Sequence, residues 1–496
     1  MANNNTKYFV INPNYTMYND ENKVVLTSNN IRSLDNDFVA EFISFFPSEV
    51  AMVLSFFTGK DTYQQSIEKI AYFLDSTIAE VVDFIDKYIC NPESFTTSSG
   101  NYNLFIPKNL IIECTDDSLI RNFTIEEFVL NSSNFKSQPR LNKPLGTTFV
   151  ISNKCVTDCE YCYADRKTKY TPLTTNRIKE LIHQAAELGI RDFDLSGGEF
   201  FLHPDWDEIL ETLIYNGYYP YISTKKPINE KDVNKLKSLG VKRIQYSLDS
   251  VNIQKLMDTL KVGENYLEAI SNSIRLLENA DIKVRINGIL SNKTAEISDI
   301  EDLIIFLQDF SNIEKITLTP AGRSLYKEGY SYSINKKQVQ DIDAFLKEKN
   351  KDLNRVNIDF GSFVLEDHYK LEDKSGLFNN RATCSGNFSH FIILPDGKVT
   401  ICEELYWNEN FIIGDLATQN IMDVWQSDKA KNLYYKSQES IQKGSNCARC
   451  DDFSKCRVPS GVCWRNIINA YGDDKYDYPD PRCPIAPEFE NVFYIQ

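Results

Sequence analysis

The chain has 496 residues, 42% of them hydrophobic and 25% charged, with a formal net charge of -16 and a pI near 4.9. That length predicts two or three domains, and the acidity argues against nucleic acid as a partner because phosphate backbones are repelled. No apolar run approaches ~18 residues, so no membrane-spanning helix is expected. The start, MANNNTKYFV, has no basic region followed by an apolar stretch, so no secretion signal is expected and the compartment reads as cytoplasmic.

Residues 1–92 begin with strand-like runs at 7–11 and 23–27 and continue with three helical segments. The first, 47–57, opens on Pro47 and stops before Gly59. The second, 63–74, places Ile67, Ile70, Ala71 and Leu74 on one face, and the third, 76–89, can be capped by Ser76. Strands followed by three helices suggest a winged-helix arrangement. Residues 93–143 read as a connector with short strands.

From residue 144 to about 325 strands and helices alternate. Strands are predicted at 147–152, 192–196, 219–223, 243–248, 283–290 and 315–319, and the first intervening helix, 175–188, has Ile178, Leu181, Ile182, Ala185 and Leu188 on one stripe. Such βα units in series predict an α/β fold with a parallel sheet, as an open barrel or a doubly wound sheet. In both, ligands collect at the C-terminal strand ends. Residues 326–374 form a bridging region. Residues 375–496 are loop-rich, with one clear hairpin, HFIILPDGKVTICEE, turning at Pro395-Asp396-Gly397.

In a reducing compartment the 12 cysteines are better read as metal ligands or buried small hydrophobes than as a disulfide framework. Cys90 and Cys114 stand alone in apolar surroundings and are expected to be packed core thiols. The other ten fall at 155–162 and at 384–483. CVTDCEYC follows the first strand of the βα series, so Cys155, Cys159 and Cys162 lie on a loop at the functional edge. Three thiolates at this spacing can hold three irons of a cubane and leave the fourth open to a chelating ligand. Tetrahedral zinc is the rival.

C-x3-C-x-aromatic-C, with Tyr161 before the last cysteine, resembles the signature of the radical S-adenosylmethionine (SAM) superfamily, and the resemblance runs through about 145–320. It implies a partial (βα)6 barrel and a cluster that cleaves SAM. Gly197-Gly198-Glu199 then matches the motif that contacts the SAM amino group. Ser223 and Thr224 match the strand end that offers hydroxyls to SAM, although the Asn-Gly that usually follows is Lys225-Lys226 here. Ser247 and Asp249, in Ser-Leu-Asp, match a ribose-proximal motif. Lys261 takes the place of an arginine near the SAM carboxylate, and Asn287 is a candidate adenosine contact. His203 is read as structural.

The spacing Cys384-x12-Gly397-x4-Cys402, then Cys447-x2-Cys450-x5-Cys456-x6-Cys463, then Cys483, resembles the SPASM extension of these enzymes, with x6 where x3 is usual before Cys463. The resemblance implies two auxiliary [4Fe–4S] clusters, hence three in all. Cys447, Cys450, Cys456 and Cys483 would ligate one, and Cys384, Cys402 and Cys463 the other. No cysteine falls at 374–383, so the second of these would have a non-cysteine ligand or, as favoured here, an open iron. A substrate thiolate is a suitable soft ligand for it.

SPASM enzymes commonly modify peptides, and residues 1–92 resemble the PqqD-like domain that captures a leader peptide as an added strand. The whole resembles the thioether-forming maturases of sactipeptide and ranthipeptide pathways. The implied partners are a ribosomally made precursor peptide and an electron donor such as flavodoxin or ferredoxin. Rival readings are a carbon–carbon or ether crosslinking maturase, a sulfatase-type maturase that needs no leader-binding domain, and a zinc-stapled peptide-binding adaptor that consumes no SAM. No general base is evident.

Overall fold

The computed structural model describes residues 4–29, 42–99, 102–130, 140–164, 169–325, 331–352, 356–361, 363–364, 378–379, 381, 383–457, 461–489 and 494–495. Part of the bridging region at 326–374 therefore lies outside the described residues. The chain divides into two units, Met1–Asn142 and Lys143–Gln496.

The first unit contains β1 (Tyr8–Ile11), β2 (Tyr15–Asp20), β3 (Lys23–Ser28), β4 (Ile43–Phe46), α1 (Ser48–Leu54), β5 (Thr58–Thr62), α2 (Tyr63–Leu74), α3 (Ile78–Ile85), β6 (Phe95–Ser99), β7 (Tyr102–Ile106) and β8 (Ile111–Glu113). Three antiparallel sheets run β5-β1-β8, β2-β3-β4 and β6-β7. Helix α2 starts where its sequence pattern places it, with Thr62 and Gln65 forming a capping box. Helix α3 is capped by Thr77 and Glu80 rather than by the expected Ser76, because Glu80 three residues on can return the bond to the Thr77 N–H.

Residues 93–142 are not a connector. Leu104, Ile106, Leu110, Ile111 and Phe128 are buried in one core with Phe57, Ile67, Ile70, Val81 and Ile85, and β8 pairs with β1 along Phe9–Ile11. The two isolated cysteines also differ from expectation. Cys90 is exposed and Cys114 only partly buried, since the backbone turns left-handed at Cys90 (φ 47°) between the helices and the next hairpin. Replacement of Ile111 by Ala should lower the stability of this unit by about 2–5 kcal/mol, the cost of emptying a fully packed site, measured by denaturant unfolding. A loss below about 0.5 kcal/mol, ordinary for a surface site, would contradict a shared core.

The second unit contains β9 (Gly146–Val150), α4 (Thr175–Glu187), β10 (Asp192–Ser196), α5 (Trp206–Tyr215), β11 (Ser223–Thr224), α6 (Glu230–Ser238), β12 (Arg243–Ser247), α7 (Ile253–Leu260), α8 (Tyr266–Asn279), β13 (Lys283–Leu290), α9 (Ile297–Gln308), β14 (Ile313–Pro320), α10 (Lys336–Asp352) and β15 (Asn357–Phe360). They are followed by β16 (Phe363–Val364), β17 (His390–Ile393), β18 (Lys398–Thr400), β19 (Ile412–Asp415) and β20 (Tyr494–Ile495). Strands β11-β12-β13-β14-β15 form one parallel sheet. A second sheet runs β10-β9-β17-β18-β19, in which β17 joins parallel to β9. This is an open, partial βα barrel extended on one side by the C-terminal hairpin.

The expected strand at 219–223 shortens to Ser223–Thr224. Tyr221, two residues before the strand, donates its N–H to the Asp194 side chain, 3.1 Å, rather than to a ladder with β10. β15 extends the sheet beyond the six strands anticipated. At the N-terminal ends of the strands Arg243 and Arg285 both bond Glu314, closing that end with charge. The opposite, C-terminal ends carry the site.

Candidate active site

The loop after β9 carries Cys155, Cys159 and Cys162, and all three line one cavity of about 280 Å³. The loop is fastened to the end of α7, with Asp158 N–H donating to Leu260 O at 2.8 Å and Glu160 N–H to Thr259 O at 3.0 Å. The Thr157 hydroxyl lies 3.4 Å from Cys155 Sγ and 3.2 Å from Cys159 Sγ.

Two glycines at the end of β10 let this loop seat. A Cβ on Gly198 would stand 2.1 Å from Lys154 O, and one on Gly197, where φ is +132°, would stand 2.5 Å from Ser152 O. The backbone leading into Cys155 therefore rests directly on the Gly-Gly pair. Both glycines also line the cavity.

Glu199 is placed otherwise than its motif implies. Its carboxylate is buried and does not line the cavity. It accepts from the Thr224 hydroxyl (2.9 Å) and from the backbone N–H groups of Lys225 (3.1 Å), Lys226 (3.2 Å) and Phe201 (3.3 Å). Burial pushes its pKa up while these donors pull it down. It is a brace that fixes the end of β11 to the end of β10.

Of the other expected contacts, Tyr161, Ser223, Thr224 and Ser247 line the cavity. Asp249 lies behind the surface, 1% exposed. It accepts from the Tyr161 hydroxyl, from Lys225 Nζ at 2.9 Å and from Ile289 N–H at 2.9 Å. Asn287 is on β13 but off the cavity wall. Lys261 is exposed, in a left-handed cap of α7, and its Nζ donates to Asp258 O at 2.7 Å. It is not on the wall, and Lys225 is.

Four charged wall residues lie outside the motifs: Lys225, Arg323, Glu404 and Arg465. Glu404 and Arg465 stand two residues after Cys402 and Cys463, so the C-terminal cysteine loops reach the cavity of the first group. Arg465 Nε lies 2.7 Å from Glu404 Oε1. Glu404 Oε2 is buried and has no hydrogen-bond partner among the described residues, and burial holds this carboxyl above its usual range despite Arg465. A second tie joins the loops, with the Tyr163 hydroxyl donating to Glu403 Oε2 at 3.1 Å.

The remaining cysteines fall into two neighbourhoods. Cys483 is pushed up to about 11 by burial and by Cys456, Cys447 and Cys450 nearby. In the same group Arg457 approaches Cys447 Sγ at 3.5 Å and Arg381 approaches Cys456 Sγ at 3.4 Å. Cys463 is pushed up to about 12 by burial, by Asp480 and by Cys384, and Cys402 is raised by burial and by Cys463 and Cys384. Among the described residues no three His, Cys, Asp or Glu side chains are drawn together as a single-ion site.

Residues 149–307 match the radical SAM superfamily, and residues 384–451 match the SPASM iron–sulfur cluster-binding domain. The chain carries a radical SAM domain and a SPASM domain. It is 23% identical over 361 residues to the PqqA peptide cyclase of Bradyrhizobium diazoefficiens, covering 71% of this chain and 88% of that protein. It is 21% identical over 338 residues to the subtilosin biosynthesis protein AlbA of Bacillus subtilis, covering 67% and 69%. In fold it resembles SuiB of Streptococcus suis, solved with S-adenosylmethionine, with a TM-score of 0.60 at 14% identity over 96% of this chain and all of that one.

The first cysteine set fits the cluster that the radical SAM domain implies. Three thiols with no fourth protein ligand in the same loop suit a cubane with one iron left for SAM. Substitution of Gly198 by Ala should displace the cysteine loop and reduce the iron bound after anaerobic reconstitution by about one cluster's four atoms. Iron content equal to the parent protein would contradict the seating role of the glycine.

Proposed function

We propose that this enzyme matures a ribosomally made precursor peptide by joining a cysteine sulfur to a carbon, forming a thioether. The observation that carries the reading is the unequal cysteine sets of the C-terminal region. Four thiols gather in one, Cys447, Cys450, Cys456 and Cys483, and three in the other, Cys384, Cys402 and Cys463. The three-thiol set would leave an iron able to take a substrate thiolate, and its loops supply Glu404 and Arg465 to the cavity of Cys155, Cys159 and Cys162. The peptide-acting relatives, and the SuiB structure solved with its precursor peptide SuiA, support a peptide as substrate. The first unit, with edge strands in its sheets, is proposed to hold the leader by strand addition.

When bound, the first cluster and SAM supply a 5′-deoxyadenosyl radical that takes a hydrogen atom from the peptide. The chain's own residues orient and deprotonate. Glu404 Oε2, buried at the wall with no hydrogen-bond partner among the described residues, accepts the proton of the incoming thiol, and Arg465 holds the carboxylate in place. Joining the thiolate to the carbon radical releases one electron, for which the cluster that Cys384, Cys402 and Cys463 would hold would be the acceptor. The Tyr163–Glu403 bond keeps the two cysteine loops in register around the reacting groups.

The test is anaerobic reaction of the reconstituted enzyme with SAM, dithionite and the Cys-containing precursor encoded beside its gene, read by mass spectrometry. Loss of two hydrogens per crosslink is expected, and loss of the crosslink when the substrate cysteine is replaced by alanine. A crosslink that survives that replacement contradicts the sulfur role and points to carbon–carbon or ether chemistry. Glu404→Gln should slow crosslinking by about 10²–10⁴-fold, the range for a general base, while SAM cleavage without peptide continues. Unchanged crosslinking would remove Glu404 from the mechanism.

A further inference from the structure

Lys225 puts an ammonium where the radical SAM pattern carries a neutral asparagine. Its position is fixed from four sides. The Lys225 N–H donates to Glu199 Oε2 at 3.1 Å, and its C=O accepts from the Tyr266 hydroxyl at 2.8 Å. Its Nζ donates to the Tyr161 hydroxyl oxygen at 2.6 Å and to Asp249 Oδ2 at 2.9 Å. The side chain is 14% exposed, and Lys225 lines the cavity that Cys155 and Cys159 also line. Both thiols are electrostatic neighbours of the ammonium. Asp249, the partner of that ammonium, is 1% exposed and off the wall, whereas Lys225 is on it.

A positive charge held in a desolvated site beside a cluster favours the state that carries one more electron. We propose that Lys225 raises the reduction potential of the cluster held by Cys155, Cys159 and Cys162, so that the electron needed for SAM cleavage arrives at a less negative potential than a neutral residue would allow. Lys225 is a positioning charge here and touches neither the abstracted hydrogen nor the substrate. The inference rests on the radical SAM assignment and is independent of which crosslink the enzyme makes.

The experiment is a redox titration of the anaerobically reconstituted full chain, followed by electron paramagnetic resonance without SAM. The first cluster's signal is identified by its change when SAM is added afterwards. Lys225→Gln keeps a donor for Tyr161 and removes the charge. It should leave about tenfold less of this cluster reduced at a given potential, a midpoint about 59 mV more negative for one electron. Lys225→Arg should hold the original midpoint, Asp249→Asn should move it the other way, and the SAM-insensitive signals should stay where they were. If Lys225→Gln does not retain the cluster, Lys225→Asn takes its place. A Gln or Asn variant with the parent midpoint overturns the proposal, as does an equal shift in the Arg variant or in every cluster. A parent protein with no SAM-sensitive signal would instead contradict the assignment beneath it.

Discussion

The site depends on a backbone contact that admits no side chain. The end of β10 and the segment entering Cys155 approach so closely that Gly198 has only 2.1 Å between its missing Cβ and the Lys154 carbonyl oxygen. That contact sets where the cysteine loop begins. The bonds from Asp158 and Glu160 to the end of α7 set where it turns. Glu199, the next residue, then fixes the end of β11 by three hydrogen bonds. One tripeptide thus seats the first cysteine loop, closes the sheet where the β10–β11 ladder is missing, and aims Lys225 into the cavity.

The second consequence is that the cavity has two owners. Its inner wall is made by the strand ends of the barrel, and its outer wall by residues following Cys402 and Cys463. β17 joins β9 as a parallel neighbour, so the C-terminal hairpin is part of the same sheet that launches the first cysteine loop. Position and chemistry are coupled through that sheet. Charges on the wall come largely in pairs, Lys225 with Asp249 and Arg465 with Glu404, an arrangement that keeps buried ions tolerable.

Much of the barrel was legible because its strands and helices repeat with clear periods. The strands at 192–196 and 283–290 fall where the pattern places them. The strand at 219–223 did not survive at full length, since Asp194 replaces a ladder bond with a side-chain bond, which no periodicity reports. Residues 93–143 read as a connector because short antiparallel strands carry too few alternations to announce a core. At the site, the three cysteines and Gly197-Gly198 could be read from spacing. The direction of Glu199, the exposure of Lys261 and the burial of Asp249 could not, because each depends on which neighbour in space offers the better hydrogen bond. Lys225 reads in sequence as the loss of a motif residue, and no spacing distinguishes Glu404 and Arg465 from other charged residues near cysteines.

The central claim is that Cys155, Cys159 and Cys162 hold the cluster that cleaves SAM. It is tested most directly by measuring 5′-deoxyadenosine released from SAM and dithionite by the anaerobically reconstituted protein and by its Cys159→Ala variant. Release by the parent and none by the variant, with iron still bound at the C-terminal cysteines, is the result this account predicts. Release undiminished in the variant, or a parent protein that binds zinc in place of iron and releases none, would contradict it.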